Sequence, residues 1–433
     1  MYRNAFGQLV EWKNKIDRKP LIIKGARQVG KTWLLKKFGQ EQFANYIYLN
    51  FESNQRLKTL FDHDLNTSRI IQALEIETGK TITAGTTLII FDEIQEAPKA
   101  LTSLKYFQEN APEYFVAAAG SLLGVAFHQD TSFPVGKVDF LDLYPLSFPE
   151  FLIACNQQKL TDLLHEKDWV LIKGFREKYT ALLKEYYFIG GMPEAVQAFI
   201  TRTRLTEVRS IQKNILSSYE QDFSKHAPNE IVPRIRMLWN SVPGQLSKEN
   251  RKFMYRNIKE GARAREFEMA MAWLLNSGLL HKINRITKPA IPLKAYEDVA
   301  AFKIYLCDVG LLGAMADLSE RTILEGNTLF QEFKGALTEQ FVLQQLVTHK
   351  NWNLYYWSAE NARAELDFVV QAGERILALE IKAEENLKSK SLGIFHDKFQ
   401  DTKAIRSSLS DYRQQDWMTN LPLYAIHELD TLL

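Results

Sequence analysis

Cysteine is nearly missing from this chain: Cys155 and Cys307 are the two in 433 residues, and no CxxC pair occurs. That excludes a disulfide scaffold or a cysteine-built zinc site and points to a reducing compartment. Long apolar runs are missing too. The longest apolar-looking stretch, Tyr114–Phe127, has 14 residues and contains Gly120 and Ser121, too short to span a bilayer. The start, Met1-Tyr-Arg-Asn-Ala-Phe, has no apolar run after its basic residue and does not read as a secretory signal. The expectation is a cytoplasmic protein with no membrane partner. Nor does one sign of charge dominate, since 54 Lys+Arg face 52 Asp+Glu for a net +2.

What is there is ordinary globular material, 46% hydrophobic and 24% charged. At this length it should split into two to four domains. The charge is unevenly spread. Between Lys248 and Lys303 twelve Lys/Arg stand against six Asp/Glu, a local +6, which leaves the rest near −4.

Pro20-Leu-Ile-Ile-Lys-Gly25 reads as a buried parallel strand. It runs into Gly25-Ala26-Arg27-Gln28-Val29-Gly30-Lys31-Thr32, a full GxxxxGK[ST] match, and then into a helix beginning near Trp33. Strand, glycine loop and helix together predict a cradle of backbone N–H groups for the phosphates of ATP at a helix N-terminus. Lys31 is expected to reach the β- and γ-phosphates and Thr32 to ligate Mg2+. A second buried strand, Thr86–Phe91, closes on Asp92 and Glu93. Asp92 would hold the magnesium through water, and Glu93 would polarise the attacking water. A third strand ends at Gly120-Ser121, where Ser121 is either a γ-phosphate sensor or the cap of the following turn.

Four ordered segments now make a resemblance: the glycine loop, Leu143-Tyr-Pro-Leu-Ser-Phe-Pro-Glu-Phe, Tyr187-Phe-Ile-Gly-Gly-Met-Pro-Glu and Phe302-Lys-Ile-Tyr-Leu-Cys-Asp-Val-Gly-Leu-Leu. Together they resemble the prokaryotic AAA-type ATPases that carry a C-terminal domain of unknown function, over nearly the whole chain. The resemblance implies an α/β chain with a P-loop AAA+ core over 1–155 and a helical lid over 156–230. A winged helix would follow over 231–315, and a restriction-endonuclease-like, PD-(D/E)xK, domain over 316–433. One departure is Gly136-Lys137, where the family commonly has Gly-Arg. Lysine keeps the charge but lacks the bidentate fork, so no arginine-finger role carries over to Lys137.

Gly190-Gly191-Met192-Pro193 reads as a tight turn, either a hinge facing the nucleotide or a plain helix connection. Residues 231–310 read as short helices followed by three strands of a wing, Leu279–Ile283, Pro289–Leu293 and Phe302–Leu306. There Arg251, Lys252, Arg256, Arg263 and Arg265 are candidate contacts to DNA phosphates, or a solvated face.

A second candidate site lies near the C-terminus. The helix Gln331–His349 carries Glu339 among Ala336, Leu343 and Leu346, so its carboxylate needs a partner, a metal or an opening to water. In Glu365-Leu-Asp-Phe-Val-Val, alternation puts Leu366, Phe368 and Val370 on one face and Asp367 on the other. Glu380 and Lys382 share a face of the next strand. Asp367 and Glu380, with Glu339 completing the cluster, would hold magnesium, and Lys382 would stabilise phosphate charge, the D…ExK logic of restriction-type nucleases. The expectation is an ATP hydrolase coupled to a nuclease-like domain acting on or near nucleic acid, with an oligomer compatible. The alternative is an ATP-driven switch whose C-terminal domain only binds a partner.

Overall fold

The computed structural model describes residues 1–62, 64–121, 133–202, 205–247, 252–325, 331–359, 364–385 and 388–432. They form two compact units. One is Tyr2–Tyr144 with Asn276–Leu279; the other is Met1, Pro145–Leu275 and Leu280–Leu433.

The first unit is built on strands β1 (Leu21–Lys24), β2 (Asn45–Asn50), β3 (Thr87–Asp92), β4 (Phe115–Ala119) and β5 (Asp139–Asp142). All pair in parallel in the order β2-β3-β4-β1-β5. Every residue of β3 and β4 is buried, which explains their uninterrupted apolar runs. Beneath the sheet, Phe91 meets Phe51, Phe61 and Phe107 edge-on, with ring centroids 5.5 to 6.5 Å apart. Such rings contribute roughly 2–3 kcal/mol each by burial. This order sets β4 between β1 and β3, so the ends of these three strands open on one crevice.

The second unit begins with helices, among them Phe148–Ala154, Gln158–Glu166, Arg176–Ile189 and Leu205–His226. It ends in an eight-stranded mixed sheet of β6 (Leu280–Ile286), β7 (Glu297–Leu306), β8 (Trp352–Ser358), β9 (Glu365–Ala372), β10 (Arg375–Ile381), β11 (Lys403–Ser408), β12 (Arg413–Gln414) and β13 (Met418–Pro422). Its order is β12-β13-β11-β10-β9-β8-β6-β7.

This sheet corrects the reading of the wing. Leu280–Ile286 and Glu297–Leu306 form an antiparallel hairpin, but Pro289–Leu293 is no strand: it lies in a connection that ends in the 3-10 turn Leu293–Tyr296. Two prolines in five residues remove the ladder donors a strand needs. The hairpin also does not stand free, because β6 pairs in parallel with β8 through Asn284–Ile286 and Tyr355–Trp357. Apart from Asn276–Leu279, the segments expected as lid, wing and C-terminal domain therefore lie in one compact unit.

Candidate functional site

The glycine loop has the backbone its sequence demands. Gly25 sits at φ +144°, and a Cβ there would come 2.1 Å from the Leu143 carbonyl oxygen. Gln28 and Gly30 also have positive φ, and Gly30 is the left-handed residue that launches the helix Lys31–Gln42. From below, the buried Arg3 guanidinium donates to the Val29 carbonyl at 2.8 Å and to the Tyr144 carbonyl at 2.5 Å, fixing the loop. Nothing in the sequence pattern singles out Arg3.

Lys31 is buried, and its Nζ donates to the carbonyls of Gly25 and Ala26, both at 2.8 Å. Burial pushes its pKa down to about 8, against the opposing pull of Glu93 and Asp92. The Thr32 hydroxyl donates to Asp92 Oδ2 at 2.8 Å, so the two magnesium candidates meet across β1, β4 and β3. Glu93 follows at φ +50° and ψ +47°, its N–H donates to Asp92 Oδ1 at 3.1 Å, and its Oε2 accepts from Gln95 Nε2 at 2.6 Å. Arg27 Nε donates to Ser121 Oγ at 3.2 Å, joining the loop to the end of β4.

Two side chains here escaped the sequence reading. Tyr48 donates its hydroxyl to Asp92 Oδ2 at 2.7 Å, and Asn50 Nδ2 donates to that hydroxyl at 3.3 Å. Burial raises the Tyr48 phenol to about 12. The signal was available only once β2 was paired to β3, where Asn50 stands opposite Asp92. Lys137 lies 2.9 Å from Glu109, a half-exposed surface ion pair.

The other three ordered segments meet in a buried polar knot of the second unit. The Gly191 carbonyl accepts from Leu146 N–H at 2.7 Å, while Gly191 N–H donates to Asp308 Oδ2 at 2.6 Å. Tyr186 donates to the Leu146 carbonyl, and Gln344 Nε2 donates to Tyr186 and Asp308, both at 2.9 Å. Burial pushes the Asp308 carboxyl up, opposed by these donors. Gly191 has no room for a side chain, since a Cβ would lie 2.1 Å from the Leu146 carbonyl oxygen. The Gly-Gly turn is thus a packed helix connection.

Near the C-terminus, the carboxylates do not gather as expected. Glu339 is buried and has found a partner: Tyr305 donates to its Oε2 at 3.3 Å, and Lys303 Nζ lies 4.0 Å away. Lys303, wholly buried, also lies 2.5 Å from Glu365. The β9–β10 register sets Phe368 opposite Leu379, which brings Asp367 and Glu380 to the next opposed position. Asp367 Oδ2 accepts from Ile381 N–H at 2.7 Å, and Lys382 Nζ lies 2.9 Å from Glu380 Oε1. Among the described residues, Glu339, Asp367 and Glu380 are not a set within ligating distance of one another. Glu339 is drawn off by Lys303 and Tyr305.

The strict alternation expected along β9 is also broken. A bulge between β8 and β9 puts Leu366 and Val369 in one apolar cluster with Trp357 and Phe395. Of the candidate phosphate contacts, Arg256, Arg263 and Arg265 are exposed and Lys252 half-buried, while Arg251 lies outside the described residues. Among the described residues no helix is long and apolar enough to cross a membrane.

Known families match the chain in three pieces. Residues 17–152 match the model of an AAA domain, 180–322 a domain of unknown function (DUF8612), and 334–426 a second domain of unknown function (DUF4143). No curated protein is significantly similar in sequence. Solved structures with a similar course include a Walker-type ATPase of Pyrococcus abyssi, at 14% identity and TM-score 0.45, over 73% of this chain and 95% of that one. Another is the Aeropyrum pernix ORC1 protein in complex with DNA, at 12% identity and TM-score 0.29, over 73% and 93%. A third is Drosophila ORC bound to DNA, at 15% identity and TM-score 0.30, over 73% and 95%. At such TM-scores these likenesses carry no functional argument. The AAA model spans the glycine loop, the Asp92-Glu93 pair and Ser121, so the N-terminal third of the chain matches an AAA domain.

Proposed function

We propose that the chain binds ATP with magnesium on the loop 25–32 and hydrolyses it. The observation that carries this is the meeting of the Thr32 hydroxyl and the Asp92 carboxylate, 2.8 Å apart, with Glu93 one residue on. Two hard oxygen donors suit magnesium, which when bound neutralises charge on the phosphates. Backbone N–H groups of 25–32 cradle the phosphates, and Lys31 exchanges the Gly25 and Ala26 carbonyls for phosphate oxygens. Tyr48 and Asn50 hold Asp92 in place, and Glu93 accepts the proton of the attacking water. Ser121, held by Arg27, is positioned to report the nucleotide state. The test is an ATPase assay in which Lys31→Ala, folded by circular dichroism, loses about 100-fold or more in rate. Wild-type turnover in that variant would sink the assignment.

The C-terminal module is proposed to act on nucleic acid as a nuclease-like domain. Support comes from the opposed Asp367 and Glu380 and from Glu380 Oε2, which is buried without a hydrogen-bond partner among the described residues. Asp367 and Glu380 would hold the metal, Lys382 would face the phosphate, and Glu339 drops out of the ligand set. Lys382 and the Arg406 side chain, opposite Glu380 on β11, already supply positive charge there, which favours the alternative switch. Cleavage of varied DNA and RNA by the full chain with Mg2+ or Mn2+ decides between them. Activity lost in both Asp367→Ala and Lys382→Ala, with ATPase intact, supports the nuclease. No cleavage of any substrate leaves the switch.

A further inference from the structure

Two of the chain's eight histidines, His165 and His427, gather with Glu428 in the second unit. His165 lies in the last turn of the helix Gln158–Glu166, and His427 and Glu428 lie in the 3-10 segment Leu423–Leu432. Glu428 Oε1 is in contact with His165 Nδ1 and lies 3.2 Å from His427 Nε2. One ligand atom from each of the three falls within 4.8 Å of the others. The surroundings are built rather than accidental. Tyr424, one turn earlier, stacks on Tyr179 at 4.7 Å, and Leu160, Leu163 and Leu164 bury the other face of the helix.

The hydrogen bonding of this group does not close. The His427 side chain is 9% exposed, yet neither ring nitrogen has an aligned hydrogen-bond partner among the described residues. A neutral imidazole must carry a proton on one nitrogen, and a buried unsatisfied donor costs about 1–3 kcal/mol. His349, stacked flat on Trp352 at 4.0 Å, also has its Nε2 buried without a hydrogen-bond partner among the described residues.

We propose that His165, His427 and Glu428 bind a divalent transition metal ion of the zinc class, which staples the helix Gln158–Glu166 to the C-terminal segment. Two imidazoles and one carboxylate are a ligand set suited to zinc or cobalt and poorly suited to magnesium. The exposed His165, at 57%, leaves the site open to solvent for entry of the ion and for water as a fourth ligand. The ion would lie among the three donors, in place of their shared contact at Glu428 Oε1.

The test uses the tag-free full chain, stripped with chelator and titrated with Co2+ in excess Mg2+, which saturates oxygen-only sites. One equivalent of Co2+ should bind with the visible absorption of a four- or five-coordinate nitrogen-oxygen site and raise the Tm by a few degrees. His165→Ala, at an exposed position that leaves the fold intact, should weaken binding at least about tenfold, and Glu428→Gln likewise. Absence of the absorption overturns the proposal. So does Co2+ binding that His165→Ala leaves unchanged, or binding that Asp92→Ala removes instead, since that ion sits at the phosphate loop.

Discussion

Lys31 shows how one side chain is held ready. Its ammonium is almost out of water, balanced by two carbonyls and by the neighbouring Asp92 and Glu93. Glu93 is the other half of the argument. Its backbone is left-handed and its Oε2 accepts from Gln95, whereas Asp92 accepts from Thr32 and Tyr48. Glu93→Gln should therefore retain Mg-ATP, because Thr32 and Asp92 are untouched, while turnover falls about 100-fold or more. Nucleotide binding measured beside steady-state hydrolysis checks this, and normal turnover would place the base elsewhere.

At the level of elements, the Gly190–Gly191 turn and the strand β6 give two stability predictions. Gly191→Ala forces a Cβ to 2.1 Å from the Leu146 carbonyl oxygen, so it should cost about 3 kcal/mol or prevent folding. Gly373→Ala, at φ +62° with open space around it, should cost about 1 kcal/mol. Urea titration of the pair separates crowding from backbone conformation. In β6, burial lowers His281 to about 4 from an ordinary 6.5. Between those values the unfolded chain binds the extra proton. Stability is complete above about pH 6.5 and is lost as pH falls toward 4, by at most about 3 kcal/mol. Acid unfolding of wild type against His281→Phe should show that slope flattened over the same range. Equal slopes would assign the acid sensitivity to other groups.

For the whole molecule, the open question is what the basic segment meets. If Arg256, Arg263 and Arg265 contact phosphates, DNA affinity should fall linearly with the logarithm of salt. Replacing all three by Gln should then reduce that slope by about 3. An unchanged slope would make the segment a solvated face. The fused sheet bears on such experiments. A fragment cut at residue 316 would lose β6 and β7, exposing the edge of β8, so the C-terminal carboxylates are best tested in the full chain.

The amino-acid sequence by itself determined the phosphate loop, its strand and helix, and the Asp92-Glu93 pair. Each is a contiguous run whose local backbone demands are written in neighbouring residues. The C-terminal hairpin was legible for the same reason, since Asp367 and Glu380 are linked by a short turn. Tertiary structure alone decided what depends on distant pairing. It brought Tyr48 and Asn50 to Asp92 and Arg3 beneath Val29. It gave Glu339 to Lys303 and Tyr305, and it joined the expected wing to the C-terminal sheet through three residue pairs. The same holds for His165 and His427, separated by most of the second unit's chain. A buried charge or lone pair takes whichever partner packing delivers, and sequence spacing carries no record of that choice.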